Sequence, residues 1–232
     1  MLLFLHGFLG QKEDWDPLLS HLPARAKAID LPGHGSCPMA DDIALAVKTQ
    51  VPKATCVVGY SAGGRIALEL KQRFPDDFQS IILLSAHPGL SSEEDRKLRR
   101  AKDAIWIENL LSLPFEEFLE KWYNQELFTA FKNSPHFQAT LQRRKTQNPT
   151  LLAQFLKQYS IADKTPSQVP ESTILVYGMQ DLKYERLYRK LGRIETTHAI
   201  KNAGHAVHLE NPAPCAKVIY EHYKNCKSPL LA

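Results

Sequence analysis

Cysteine is scarce in this 232-residue chain: Cys37, Cys56, Cys215 and Cys226 show neither C-x-x-C spacing nor a paired histidine pattern. That excludes a disulfide framework and a zinc site, and no metal or other cofactor is expected. Long apolar runs are missing too, with nothing near the roughly 18 consecutive apolar residues of a membrane span. Met1-Leu2-Leu3-Phe4-Leu5 is short and lacks the basic start and cleavage site of a signal peptide, so a cytoplasmic protein is expected. Charge of one sign is not in large excess: 29 basic residues face 25 acidic ones, a formal net charge of +4. No long basic block tracks phosphates, which removes nucleic acid as an expected partner. Internal repeats and low-complexity segments are absent as well.

What is present is an alternation. Short apolar runs bounded by turn residues recur early and late, and helical patterns lie between them, the pattern of a parallel α/β sheet. Strands are expected near 1–5, 26–30, 54–58, 80–84, 173–177 and 194–200. Helices are expected near 15–21, 41–48, 62–73, 181–191 and 212–225. The stretch 86–165 breaks this rhythm, being helical in pattern without a convincing strand. Ser91-Ser92-Glu93-Glu94 is a capping-box start, and Phe115, Phe118, Leu119, Trp122 and Tyr123 share one helical face. Residues 1–85 and 166–232 are therefore expected to form one core, with 86–165 a helical cap inserted at the sheet's carboxyl edge, where ligands bind in open α/β sheets.

Gly59-Tyr60-Ser61-Ala62-Gly63 stands between the apolar run Ala54–Val58 and the helical pattern from Gly64, the setting of a nucleophile elbow. A serine hydroxyl is a poor nucleophile and a poor base until an imidazole takes its proton, and that imidazole needs a carboxylate to fix its tautomer. Asp181 follows the run Ile174–Gly178, and His205 follows 195–200 through Lys201-Asn202-Ala203-Gly204, giving the order Ser, acid, His. Taken alone, Asp181 reads as a helix N-cap and His205 as a surface residue; their joint order favours Ser61, Asp181 and His205 as catalytic. His208 is the nearest rival histidine. Negative charge on oxygen needs donors, and the backbone N–H groups of Phe8, in His6-Gly7-Phe8, and of Ala62 are expected to supply an oxyanion hole.

His6-Gly7-Phe8, Asp30-Leu31-Pro32-Gly33-His34-Gly35, the elbow and Gly204-His205 together resemble the α/β-hydrolase superfamily across nearly the whole chain. The resemblance implies a mostly parallel sheet of about six strands, without the one or two strands that usually precede the first. Trp15, the elbow extended to Gly64-Arg65, Arg96, Arg99, Asp103 and Trp106 are similar to a menaquinone-pathway lyase family within it. So are Trp122-Tyr123-Asn124-Gln125, Gln147-Asn148-Pro149, Asp181-Leu182-Lys183-Tyr184 and the run Gly204–Pro212. Such a family implies pyruvate elimination from an enolpyruvyl substrate, in menaquinone or phylloquinone synthesis, with the serine as proton-abstracting base. The oxyanion donors would then stabilise charge spread onto a substrate carboxylate. The implied partner is a small polycarboxylate bound by Arg65, Arg99 and Arg143, with Tyr60 and Trp122 lining its pocket. Arg96, Arg100, Arg144 and Lys145 are expected to be solvated. A serine hydrolase, either esterase or carbon–carbon bond hydrolase, is the competing expectation. In either case the protein is expected to be a monomer or weak homo-oligomer.

Overall fold

A computed structural model describes residues 1–164 and 166–227. Thr165, the last residue of the expected cap, and the Cys226 side chain lie outside the described residues. The strands are β1 (Leu2–Leu5), β2 (Ala26–Ile29), β3 (Cys56–Tyr60), β4 (Ser80–Leu84), β5 (Ile174–Gly178) and β6 (Thr197–Ile200). They form one six-stranded sheet in the order β2-β1-β3-β4-β5-β6, parallel at every pairing. Parallel strands buried on both faces are apolar at every position, not at alternate ones. That is why Leu2-Leu3-Phe4-Leu5 is a continuous run. Leu2 and Phe4 pack with Val58, Ile82 and Leu84 in one core, whereas Leu3 and Leu5 pack with Val57, Ile81 and Leu83 in the other.

The helices joining the first four strands are α1 (Asp16–Leu19), α2 (Ile43–Gln50) and α3 (Ala62–Arg73). Between β4 and β5 come α4 (Glu93–Ser112), α5 (Phe115–Tyr123), α6 (Thr129–Lys132), α7 (Phe137–Arg144) and α8 (Pro149–Gln158), with no strand among the described residues. The chain closes with α9 (Leu182–Lys190), α10 (Val207–Glu210) and α11 (Pro212–Lys227). Ile43, Val47, Ile66, Leu70, Tyr184 and Tyr188 cover one face of the sheet from α2, α3 and α9. Leu18, Cys215, Ala216 and Ile219 cover the other from α1 and α11. None of the helices in the described residues is long and apolar enough to cross a membrane.

Element boundaries differ from expectation by up to three residues, and two of the differences have a clear cause in the sheet. The third strand runs to Tyr60, two residues further than 58, because Gly59 and Tyr60 continue the ladder opposite Leu83 and Leu84. The last strand begins at Thr197 because 194–196 form a turn of 3-10 helix, and pairing to β5 starts only at Thr197. The expected capping box at 91–94 is realised one residue later and only in half: Ser92 is the N-cap of α4, its Oγ accepting from Asp95 N–H at 3.3 Å.

From β1 the chain moves outward to β2, then returns past β1 to β3. The connections leaving β1 and β3 therefore diverge, and a crevice opens between them at the carboxyl edge.

Candidate active site

Ser61 sits in that crevice, between the last residue of β3 and the first of α3, with φ 50° and ψ −108°. A non-glycine residue here carries strain of about 1–3 kcal/mol, which the surrounding structure must hold. The flanking glycines are what permit it. A Cβ on Gly59 would collide with the Gly63 carbonyl oxygen, and one on Gly63 with that of Leu5. The Ser61 N–H donates to Leu84 O at 3.0 Å, tying the elbow to β4.

Asp181 and His205 are brought together by a close passage of two loops. Gly178, at the end of β5, has no room for a Cβ because the Ala203 and Gly204 carbonyl oxygens lie there. Across the same passage the N–H groups of Met179 and Gln180 donate to Ile200 O and Ala203 O, each at 2.9 Å. His205 Nδ1 then lies 2.8 Å from Asp181 Oδ2, while Asp181 Oδ1 accepts from Tyr184 N–H at 3.2 Å and caps α9. The N-cap and the imidazole-orienting role thus coexist, one oxygen for each. Burial pulls His205 below its ordinary value and outweighs the opposing bond to Asp181, so the imidazole is neutral at pH 7. With Nδ1–H directed to the carboxylate, Nε2 is the open base. Among the described residues no hydrogen bond joins it to Ser61 Oγ; catalytic hydrogen bonds of this kind commonly tighten only when substrate binds.

His6 shapes the other wall. Its Nδ1–H donates to Gly7 O at 2.8 Å and its Nε2 accepts from Leu31 N–H at 2.9 Å, locking the loops after β1 and β2 together. The backbone N–H groups of Phe8 and Ala62 have no acceptor among the described residues. Both residues line a cavity of about 520 Å³ that also takes in Ser61 and His205.

Tyr60, Arg65, Arg99 and Trp122 line the same cavity. Arg65 has no carboxylate partner among the described residues, and its Nε is buried without an acceptor. Arg99 is 2.8 Å from Asp103 and remains one-third exposed. Arg143 is the correction. It lies outside the cavity lining, behind Asp14, with its guanidinium held by Asp14 Oδ1 at 3.0 Å and Thr140 Oγ1 at 3.1 Å. Arg144, expected to be solvated, is buried and lines the cavity instead, in a bidentate pair with Asp14 and 3.2 Å from the Tyr123 hydroxyl. Burial alone would raise Asp14, but the Arg144 guanidinium overrides it and holds the carboxyl at about 2.

Sequence reasoning also missed Lys183 and His87, which line the cavity. Lys183 follows Asp181 by two residues, and His87 lies on the loop leaving β4, so a search of every loop at the carboxyl edge finds both. His87 is lowered to about 4 by burial and by Lys183, Arg65 and Arg99, which makes it a neutral group among cations. His208 lines the cavity too, wedged 4.4 Å from the Trp15 and Tyr60 ring centres and lowered to about 3 by burial. It cannot rival His205, because neither of its ring nitrogens reaches a carboxylate.

A general base with an oriented imidazole, two free N–H donors and several cations in one cavity is equipped for proton removal from an anionic substrate. The alpha/beta hydrolase family model matches residues 2–218. The chain is 32% identical over 233 residues to 2-succinyl-6-hydroxy-2,4-cyclohexadiene-1-carboxylate synthase of Enterobacter sp. (strain 638), covering 93% of this chain and 88% of that one. It is 31% identical over 248 residues to the chloroplastic protein PHYLLO of Arabidopsis thaliana, of which it spans only 14%. Among solved structures, MenH from S. aureus superposes with a TM-score of 0.88 at 25% identity, covering 98% of this chain and 94% of that one. A thermophilic esterase from Thermogutta terrifontis, at 19% identity and a TM-score of 0.75 over 98% and 90% of the two chains, shares the fold. The chain belongs to the alpha/beta hydrolase family and, within it, to the family of the 2-succinyl-6-hydroxy-2,4-cyclohexadiene-1-carboxylate synthases.

Proposed function

We propose that this protein is a carbon–oxygen lyase of menaquinone or phylloquinone biosynthesis. It eliminates pyruvate from 2-succinyl-5-enolpyruvyl-6-hydroxy-3-cyclohexene-1-carboxylate and leaves 2-succinyl-6-hydroxy-2,4-cyclohexadiene-1-carboxylate. The observation that carries the reading is the set of cations, Arg65, Arg99, Arg144 and Lys183, that line one cavity with Ser61 and His205. An esterase for neutral substrates has no use for them, whereas a substrate with three carboxylates does. Helices α4–α8 act as the cap that supplies Arg99, Trp122 and Arg144.

The substrate's names fix the electron flow. The ring carbon bearing the succinyl group loses its proton to Ser61 Oγ as the hydroxyl proton passes to His205 Nε2. The freed electron pair forms one ring double bond, the existing one shifts by one carbon, and the carbon–oxygen bond to the enolpyruvyl group breaks. That oxygen departs as an enolate, which takes a proton at carbon to become pyruvate, so no water and no acyl-enzyme are needed. Charge in the transition state spreads onto the succinyl carbonyl oxygen, the group conjugated to the deprotonated carbon, rather than onto a carboxylate. The N–H groups of Phe8 and Ala62 are the donors for it. Asp181 keeps His205 in the accepting tautomer and stabilises the imidazolium. Arg65 and Arg99 bind carboxylates, and Arg144, prealigned by Asp14, takes the place first given to Arg143.

Purified protein supplied with the enolpyruvyl substrate should release pyruvate, read by a lactate dehydrogenase couple, and develop the absorbance of the cyclohexadiene. Protein that does neither, yet hydrolyses p-nitrophenyl esters well, is a serine hydrolase and the lyase reading fails.

A further inference from the structure

The short helix after His205 ends in a carboxylate that turns back on the histidine loop. Glu210 Oε2 accepts from Gly204 N–H at 2.6 Å, and Oε1 accepts from Ala206 N–H at 2.8 Å. These are the backbone amides of the residues immediately before and after His205. Glu210 N–H also donates to Ala206 O at 2.9 Å, so side chain and main chain close on the same residue. No lysine or arginine pairs with this carboxylate among the described residues. Each of its two oxygens accepts from the histidine loop. Hydrogen bonds from amides to an ionised carboxylate are short and about twice as strong as neutral ones.

We propose that Glu210 is a positioning residue that sets the backbone on both sides of His205, leaving Asp181 to set the ring. The two carboxylates divide one task. Asp181 fixes the imidazole's rotation and tautomer through Nδ1, and Glu210 fixes the peptides from which the imidazole projects toward Ser61. A general base must be held within a fraction of an ångström of its proton, so a loop left to hydrate freely would erode the rate without touching substrate binding. The inference rests on Ser61 and His205 acting as hydroxyl and base, and not on which substrate they serve.

The test reads Ser61 reactivity directly, as the second-order rate at which a fluorophosphonate labels it across a range of pH. Labelling requires His205 to accept the serine proton whatever the natural substrate is. Glu210→Gln keeps the side chain's shape but presents an amide N–H to a backbone N–H. It is expected to label about ten- to a hundredfold more slowly, with the midpoint of the pH profile displaced. Glu210→Asp keeps both acceptors one methylene short and should fall between. The exposed Glu221→Gln on α11, whose partner Lys217 is 3.9 Å away, should label as the parent does. In lyase assays Glu210→Gln should lower kcat and leave KM nearly unchanged. A folded Glu210→Gln protein that labels at the parental rate with the parental pH midpoint overturns the proposal. Should that variant not fold, Glu210→Asp decides, a parental rate overturning it and a slower rate at an intact melting temperature supporting it. Normal labelling without pyruvate release would sink the lyase reading and leave Glu210 where it stands.

Discussion

Asp181 serves two partners with two oxygens, and a single substitution separates them. Asp181→Asn can still accept from Tyr184 N–H and cap α9, so thermal stability should change by no more than about 1 kcal/mol. Its amide N–H₂ would face His205 Nδ1 and force the wrong tautomer, a change that lowers kcat by about 10⁴ in a serine triad. Equal loss of stability and activity would show the cap to be the main role. His205 itself sets the pH profile: only the neutral ring accepts a proton, and burial lowers its pKa below 6.5. Plotted against pH, kcat/KM should therefore rise through an acid limb with its midpoint below 6.5 and stay level to pH 8. A midpoint above 6.5 would mean that the bond to Asp181 outweighs burial. The arginines mark where residue-level reading ends. Arg143 and Arg144 are adjacent on α7 and thus point about 100° apart, and no spacing rule says which faces the cavity. Both reach Asp14, 129 and 130 residues away, and their other partners separate them: Arg144 adds the buried Tyr123 hydroxyl and Arg143 adds Thr140. Arg65→Ala and Arg99→Ala should each raise KM about tenfold or more, as befits a lost charged hydrogen bond, whereas Arg143→Ala should leave KM nearly unchanged.

The strand-turn-helix element around Ser61 was legible because its requirements are local. Small residues must flank a strained position, and Gly59, Gly63 and Gly64 are printed in the chain. The head of α4 was legible to within one residue, Ser92 capping where the box spacing pointed to Ser91, and the start of α8 has equally local causes, Asn148 capping it and Pro149 filling its first turn. Less legible were the ends of β3 and β6, since a strand stops where its neighbour stops offering partners, and that is a property of the sheet. The elbow also yields a contrast between two glycines. Gly63→Ala drives a methyl group into the Leu5 carbonyl, a contact with backbone that cannot give way, so a loss of about 3 kcal/mol or no soluble protein is expected. Gly192 has φ 68° and open space around its Cβ position, so Gly192→Ala meets only the left-handed conformational cost of about 1–2 kcal/mol. Urea unfolding of the two variants checks the order, and similar losses would show that the backbone of the elbow shifts to make room for the methyl group.

At the scale of the whole molecule, strand alternation announced the parallel sheet, and the resemblance implied its six strands. What no sequence pattern announced is how deeply the chain buries its histidines. His6, His34, His205 and His208 are all enclosed, and burial lowers each of them, His208 to about 3 and His34 well below its ordinary value. Each such group contributes stability that is present above the unfolded value near 6.5 and is lost as pH falls toward the folded value. Within that window the unfolded chain binds a proton that the native chain refuses, costing about 1.4 kcal/mol per pH unit per histidine. Asp14 adds a further loss only below about 4, because its folded value is about 2. Glu210, raised by burial, works the other way and offsets part of one histidine. The unfolding free energy measured in urea should therefore fall steeply from pH 7 to pH 5, by several kcal/mol out of a total of about 5–15. His208→Phe should flatten that slope by about 1.4 kcal/mol per pH unit. It should also cost little at pH 7, since it replaces an imidazole whose two nitrogens have no partner with an apolar ring of similar shape. A slope unchanged by His208→Phe would mean that the native protein protonates this residue in mild acid, and that the contact between its ring and those of Trp15 and Tyr60 opens before the chain unfolds.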